Sequence, residues 1–375
     1  MVTVLVVVLA LLAFSLFYLR GEDLRYLDGP LPGPEPTAPS EAHRAVVQRL
    51  DEIAAAIDGK SLRERLHAIR AFMDELGRER SYRSAFRPVQ QGGVRGEWVL
   101  APGCDGRRRV LYLHGGAWFA GSPLSHRPIT DRLSRLLGAA VFTVDYRLLP
   151  EHRRNDGIHD CRAALRWILH NGPEDAEPPD FLVVAGDSAG GSLALDVLGW
   201  ARDSGLRMPD AAIALSPSTD TTLNSPSLRA NRDTDPMLGP AFGALLRLPV
   251  VLLWWLFWVL WRIPPRDPRV SPLRGQLSGL PPILIQVSRA EMLLDDARRY
   301  AAKARASGTP VRLQSWPHVV HAWQMFTPEL PEAEQAFAAM GEFLADVEAG
   351  RLSAAAAEVT FPLPGDGAGA RAAAP

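Results

Sequence analysis

The sequence predicts an α/β fold, a mainly parallel β-sheet with helices covering both faces. Short runs rich in β-branched residues alternate with stretches of helical periodicity: VLYL at 110–113, VFTV at 141–144, FLVVA at 181–185, AIAL at 212–215, ILIQV at 283–287 and VRLQSW at 311–316. Such runs are apolar almost throughout, which suits strands buried on both faces. Composition agrees, because 47% hydrophobic and 22% charged residues over 375 positions describe a globular chain. At that length roughly three-quarters of the unfolded surface is buried on folding. Disorder, collagen and coiled coil are excluded as the main architecture. With 41 Lys+Arg against 42 Asp+Glu the net charge is −1, so no general attraction to nucleic acid follows. Cys104 and Cys161 lack the spacing of a zinc or redox site and are too few for a disulfide scaffold.

The chain opens with an apolar segment. Residues 2–19 read VTVLVVVLALLAFSLFYL, 18 positions without a charge, and a helix of that length spans about 27 Å of hydrocarbon. An uncleaved transmembrane anchor at 1–20 is the favoured reading. A secretory signal peptide is its rival, but no Lys or Arg precedes the run and its small residues Ala13 and Ser15 lie inside it. The charges that follow are mixed, Arg20, Glu22, Asp23 and Arg25, so the positive-inside rule leans only weakly toward a cytoplasmic C-terminal side.

Residues 21–40, Pro- and Gly-rich from 24 onward, read as a linker, and helical patterns follow at 42–57 and 62–76. Between the later strand runs lie helices near 158–169, 189–201 and 292–307, the last stopped by Gly308. A second apolar stretch, LPVVLLWWLFWVLW at 248–261, carries four of the chain's ten tryptophans. It is short for a span and suits an interfacial or re-entrant segment, where indole rings are favoured; a buried core helix is the alternative. The Ala-, Gly- and Pro-rich tail, 351–375, reads as disordered.

Three loops at strand ends carry the chemistry. Gly186-Asp187-Ser188-Ala189-Gly190 is a G-x-S-x-G sequence between a strand and a helix, the setting in which a tight turn projects a serine hydroxyl. The pattern alone is weak, and context raises it. Upstream, His114-Gly115-Gly116-Ala117-Trp118 ends another strand, and its glycines let the backbone approach a substrate oxygen. The N–H groups of Gly115, Gly116 and Ala189 are candidate oxyanion donors, each worth about 10²- to 10³-fold in rate.

A serine hydroxyl needs a histidine base and an acid that orients it, in the chain order Ser, acid, His. Downstream of Ser188 only His318 and His321 remain, and His321, just before a helix, is favoured. The loop after the 283–287 strand offers Glu291, Asp295 and Asp296. Glu291 is favoured because it lies nearest the strand end, while the aspartates suit the start of a helix. None of the nine histidines forms an H-E-x-x-H or similar ligand cluster, so the reading needs neither metal nor other cofactor.

These residues resemble the hormone-sensitive-lipase-like group of α/β-hydrolases, which includes bacterial acetyl-hydrolases and esterases and the membrane-anchored arylacetamide deacetylases. The likeness runs from about 93 to 326 through GVRGEWVLAPG, YLHGGAWFAGS, VDYRLLPEH, AGDSAGGSLAL, LSGLPPILIQVSRAEMLLDDARRYAAKARASG and WPHVVHAWQMF. It implies an α/β-hydrolase fold, with an eight-stranded sheet and a helical cap, over 41–350. It also implies Ser188 as nucleophile, Glu291 and His321 as its partners, Gly115, Gly116 and Ala189 as oxyanion donors, and structural roles for Asp145 and Glu151. By position the cap is 41–85 together with 220–268, so the tryptophan segment falls in the lid region.

Departures exist: Ala117 stands at the third glycine of H-G-G-G, Glu291 where most members carry Asp, and Arg153-Arg154-Asn155-Asp156 in place of a Pro-Phe-Pro-Ala-type run. The expected activity is hydrolysis of a hydrophobic or lipid-derived carboxylic ester at a membrane, without nucleic acid. An acyltransferase with the same three residues and a non-catalytic ligand-binding member are the alternatives. Because Ser188 precedes 248–261 and its partners follow, a single crossing there would part the triad, so the segment must dip and return or lie on the surface.

Overall fold

The structure, a computed structural model, describes residues 2–30, 39–352 and the backbone of 359–360. Its strands are β1 (Ala85–Gln91), β2 (Val94–Leu100), β3 (Asp105–Leu113), β4 (Ala139–Val144), β5 (Phe181–Asp187), β6 (Ala211–Leu215), β7 (Ile283–Ser288), β8 (Val311–Trp316) and the two-residue β9 (Val359–Thr360). They form one sheet in the order β1-β2-β4-β3-β5-β6-β7-β8-β9. Only β1–β2 and β2–β4 pair antiparallel. The eight main strands match the expected architecture. Of the tail expected to be disordered, 353–358 and 361–375 lie outside the described residues, and Val359–Thr360 pairs with the edge of β8.

The helices are α1 (Val2–Ala13), α2 (Glu41–Ile57), α3 (Leu62–Arg78), α4 (Arg127–Leu137), α5 (Arg154–Ile168), α6 (Ala189–Asp203), α7 (Ser227–Ala230), α8 (Leu238–Phe242), α9 (Val250–Trp261), α10 (Leu294–Ala306) and α11 (Pro331–Glu348). Two large apolar cores flank the sheet. One packs α5, α6 and α10 against it, with Leu24 and Trp261; the other packs α2, α4 and α11. Capping chemistry explains the starts of the first globular helices: Ser40 accepts from the N–H of His43, and Ser61 with Glu64 forms a reciprocal capping box.

Two features go beyond the sequence expectation. The β1–β2 hairpin turns on Gly92 and Gly93, whose φ angles of +59° and +80° make the Gly-Gly pair the natural choice for a two-residue turn. Pro88 and the glutamines hid β1, which tolerates them because it is an edge strand. Helix α4 is the other, starting at a proline and closing on the left-handed Gly138.

Elements from residues 41–85 and 220–268 meet the loops at the carboxyl ends of the parallel strands. From α3, Arg70 reaches the carbonyls of Phe119 and Leu149 and pairs bidentately with Glu151. From α2, His43 meets His318 edge-on at 5.5 Å. Asn231, just after α7, donates to the carbonyls of Arg289 and Glu291. Asp145 pairs with Arg95 at 3.4 Å, so both acids of the DYRLLPE stretch make structural ion pairs.

The N-terminal helix continues from α1 into a π-helical turn, Phe14–Arg20. Among the described residues Val2–Leu27 is the one helix long and apolar enough to cross a membrane. Its character changes along its length: α1 buries no side chain, whereas Ser15 and Leu19 are buried.

Candidate active site

Five parallel strands end side by side, and their register brings the chemistry together. Leu113 of β3 is level with Gly186 of β5, and Asp187 of β5 with Leu215 of β6. The loops that follow hold His114, Ser188, Ser216, Glu291 and His321, so residues distant in sequence meet at the carboxyl edge, the usual place for a site in such sheets.

Ser188 stands at the turn between β5 and α6 with φ +52° and ψ −119°, a conformation an L-residue adopts only under constraint. The constraint is visible. Its N–H donates to Leu215 at 2.7 Å, and the end of β3 presses on the flanking glycines. A Cβ on Gly186 would lie 2.6 Å from the Leu113 carbonyl oxygen, and one on Gly190 would lie 2.0 Å from that same atom. The two glycines are therefore set by close packing of the end of β3 against the serine turn.

Ser188 Oγ lies 2.8 Å from His321 Nε2. His321 Nδ1 faces Glu291 Oε1 at 3.6 Å, a charge contact longer than a hydrogen bond. Both side chains are buried. Glu291 is held by its other oxygen, which accepts from Ser216 Oγ at 2.7 Å and from the Ser288 N–H at 3.3 Å. The N–H of Ala322, next to His321, donates to Ser216 Oγ at 3.2 Å, so Ser216 joins the acid loop to the base loop. Sequence reasoning missed this residue. The sequence offers one signal for it, a serine directly after the 212–215 strand run; its left-handed backbone, φ +46°, shows only in the structure.

Burial disfavours the imidazolium of His321, but Glu291 and Asp235 prevail and raise its pKa above the ordinary value. Burial also raises the Glu291 carboxyl, against the pull of His321. The rival residues serve elsewhere. His318 packs on His43 of α2, Asp295 accepts from the Ser227 N–H, and Asp296 accepts from the N–H groups of Thr219 and Asp220 and from Ser225.

One expected donor is corrected. The N–H of Gly115 is directed at Asp187 Oδ1, 3.0 Å away, with His126 Nε2 at 3.3 Å, and is consumed there. Asp187 also accepts from the Tyr112 hydroxyl at 2.7 Å, so Gly115 stitches the loop after β3 to the serine turn. The N–H groups of Gly116, Ala117 and Ala189 have no hydrogen-bond partner among the described residues. Ala117, with φ +53°, keeps its N–H despite replacing a glycine. Among the described residues no cluster of His, Cys, Asp and Glu is disposed to hold a metal.

Fold and site together define an α/β hydrolase with a serine–histidine–acid arrangement at its strand ends. A family described as having the alpha/beta hydrolase fold matches residues 110–325. An acetyl-hydrolase of Streptomyces hygroscopicus is 39% identical over 256 residues, 68% of this chain and 81% of its own. An esterase of Acinetobacter venetianus is 34% identical over 284 residues, 75% and 89% of the two chains. The solved structure of an esterase from the bacterial hormone-sensitive lipase family superposes with TM-score 0.71 at 33% identity, covering 82% of this chain and 98% of that one. The chain belongs to the hormone-sensitive-lipase-like esterases of the α/β-hydrolase family, and it is a carboxylic ester hydrolase.

Proposed function

We propose that Ser188 is the nucleophile, His321 its base and Glu291 the acid that orients the base, with Gly116, Ala117 and Ala189 as oxyanion donors. The observation that carries this reading is the 2.8 Å approach of Ser188 Oγ to His321 Nε2 at a strained turn. His321 takes the hydroxyl proton as Oγ attacks the ester carbonyl, and the three N–H groups receive the charge that develops on its oxygen. The proton then passes to the departing alcohol. Water, deprotonated by the same imidazole, cleaves the acyl-enzyme and releases the acid. General-base assistance contributes about 10²- to 10⁴-fold. Ser188→Ala is expected to abolish turnover of a short chromogenic ester, and unchanged turnover would overturn the assignment.

The substrate proposed is a hydrophobic or lipid-derived ester met at a bilayer. Helix α1 is exposed along its whole length, and α9 shows Leu252, Leu256, Val259 and Leu260 on one outward face. The two apolar surfaces adjoin, because Phe14 packs on Trp255 and Trp258 at 5.2 and 5.1 Å. Retention of the N-terminal helix as an anchor, rather than its removal as a signal, is supported by its seating. Leu19 is buried, Trp255 donates to Ser15 at 2.9 Å, and Asp28 pairs bidentately with Arg299. In this reading α2, α3 and the 220–268 segment form the cap, with α9 its membrane-facing part.

A further inference from the structure

We propose that Arg154 is a positioning residue for the oxyanion loop, acting through the indole of Trp118. The proposal rests on the reading of the site as a serine esterase and gives a role to one residue of the Arg153-Arg154-Asn155-Asp156 run, which the family resemblance left without one.

Arg154 opens α5 and is only 3% exposed. Its Nε and Nη2 are buried with no hydrogen-bond partner among the described residues. The nearby carboxylate, Asp196, is already committed to Arg162 through contacts of 3.0 and 2.7 Å. Burial draws the Arg154 pKa down to about 10, so the group remains a cation at neutral pH. A desolvated, uncompensated cation is costly, and structures keep one only where it interacts strongly with something. Here that interaction is with a ring: the guanidinium carbon stands 4.3 Å from the centroid of Trp118, a separation at which the quadrupole of an indole attracts a cation, more so away from water.

Trp118 directly follows Ala117, and both hold left-handed backbone, φ +64° and +53°. Non-glycine residues leave that region readily unless their surroundings fix them. The Trp118 carbonyl accepts from the Leu149 N–H at 2.9 Å, and the indole also meets Trp261 of α9 edge-on at 5.9 Å. Arg154 therefore pins the side chain whose backbone sets where the Gly116 and Ala117 N–H groups point. Misdirecting those donors weakens the transition state without touching ground-state binding.

Arg154→Met keeps the length of the side chain and removes its charge. Its kcat on p-nitrophenyl acetate is expected to fall about 10- to 100-fold with KM within about threefold, as for partial loss of oxyanion donors. Affinity for a trifluoromethyl ketone, whose adduct on Ser188 places an oxyanion in the same hole, is expected to fall by the same factor as kcat/KM. Arg154→Lys, which retains a cation, is expected to recover part of the loss. Active-site titration with a phosphonate counts folded enzyme, so a smaller active fraction is separated from slower turnover. Wild-type kcat in Arg154→Met, or a loss lying wholly in KM or in the titrated fraction, overturns the proposal. If that variant does not fold, Trp118→Leu removes the ring instead: the same kcat loss supports the proposal and an unchanged kcat overturns it. Ser188→Ala, run in parallel, separates this failure from failure of the esterase assignment, since only the latter leaves that variant active.

Discussion

Ser216 ties the acid loop to the base loop with a single hydroxyl, donating to Glu291 and accepting from the Ala322 N–H. Replacing it with Ala leaves Glu291 Oε2 with only the longer Ser288 contact, so Ser216→Ala is expected to lower kcat about tenfold through a misplaced imidazole, a partial loss of the roughly 10²- to 10⁴-fold that general-base help supplies. Steady-state kinetics on a short ester checks this. The pH profile follows from the same cluster. Burial opposes charge on His321, yet Glu291 and Asp235 raise its pKa above the ordinary 6.5. The neutral imidazole is the working base, so kcat/KM is expected to climb with pH through a midpoint above 6.5. Glu291→Gln removes the opposing charge and leaves burial in command, so its midpoint is expected to fall relative to wild type. A midpoint that does not move would mean that Glu291 does not act on this imidazole.

At the scale of elements, α9 explains its own composition. The sequence favoured an interfacial or re-entrant segment because of its tryptophans, yet the large side chains it exposes are aliphatic. Trp254 donates to the Thr222 carbonyl at 2.7 Å, Trp255 to Ser15, and Trp261 is buried against Phe257 and Trp118, while the outward face is aliphatic. Trp254 and Trp255 fasten the helix to the body and to the N-terminal helix, because each brings both a large apolar face and one indole donor that finds an acceptor there. Deleting 248–261 is expected to reduce hydrolysis of esters embedded in liposomes more than hydrolysis of soluble short esters. Equal loss on both would count against membrane docking through α9.

For the whole molecule, the N-terminal helix divides into an exposed half and a seated half. Removing residues 2–13 takes away no buried side chain, so melting temperature and turnover of soluble esters are expected to stay near wild type, and under the proposed anchoring any membrane-bound share of the protein is expected to fall. Truncation through residue 24 also removes Leu19 and Leu24, 0% and 3% exposed. Losses of this kind cost about 2–5 kcal/mol for each buried leucine. Thermal unfolding of the two truncations is expected to separate by many degrees, and equal melting temperatures would show that the seating contributes nothing.

The sequence by itself determined the parallel core and the strand-turn-helix setting of Ser188, and it singled out His321 and Glu291 as the partners proposed for that serine. Their signals are local: β-branched runs, glycines flanking Ser188, the two histidines left downstream and an acid in the loop just after the 283–287 run. Hairpin β1–β2 stayed hidden because an edge strand is free to carry Pro88 and glutamines. Only the tertiary structure decided that the Gly115 N–H is spent on Asp187, that Ser216 bridges two loops, and that the α9 tryptophans turn inward onto Ser15, Thr222 and Trp118. Each of these depends on which groups from distant parts of the chain arrive within 3 to 6 Å of one another. A hydrogen-bond donor is used up, or left for a substrate, according to the acceptor that packing brings to it, and no local pattern of residues records that arrival.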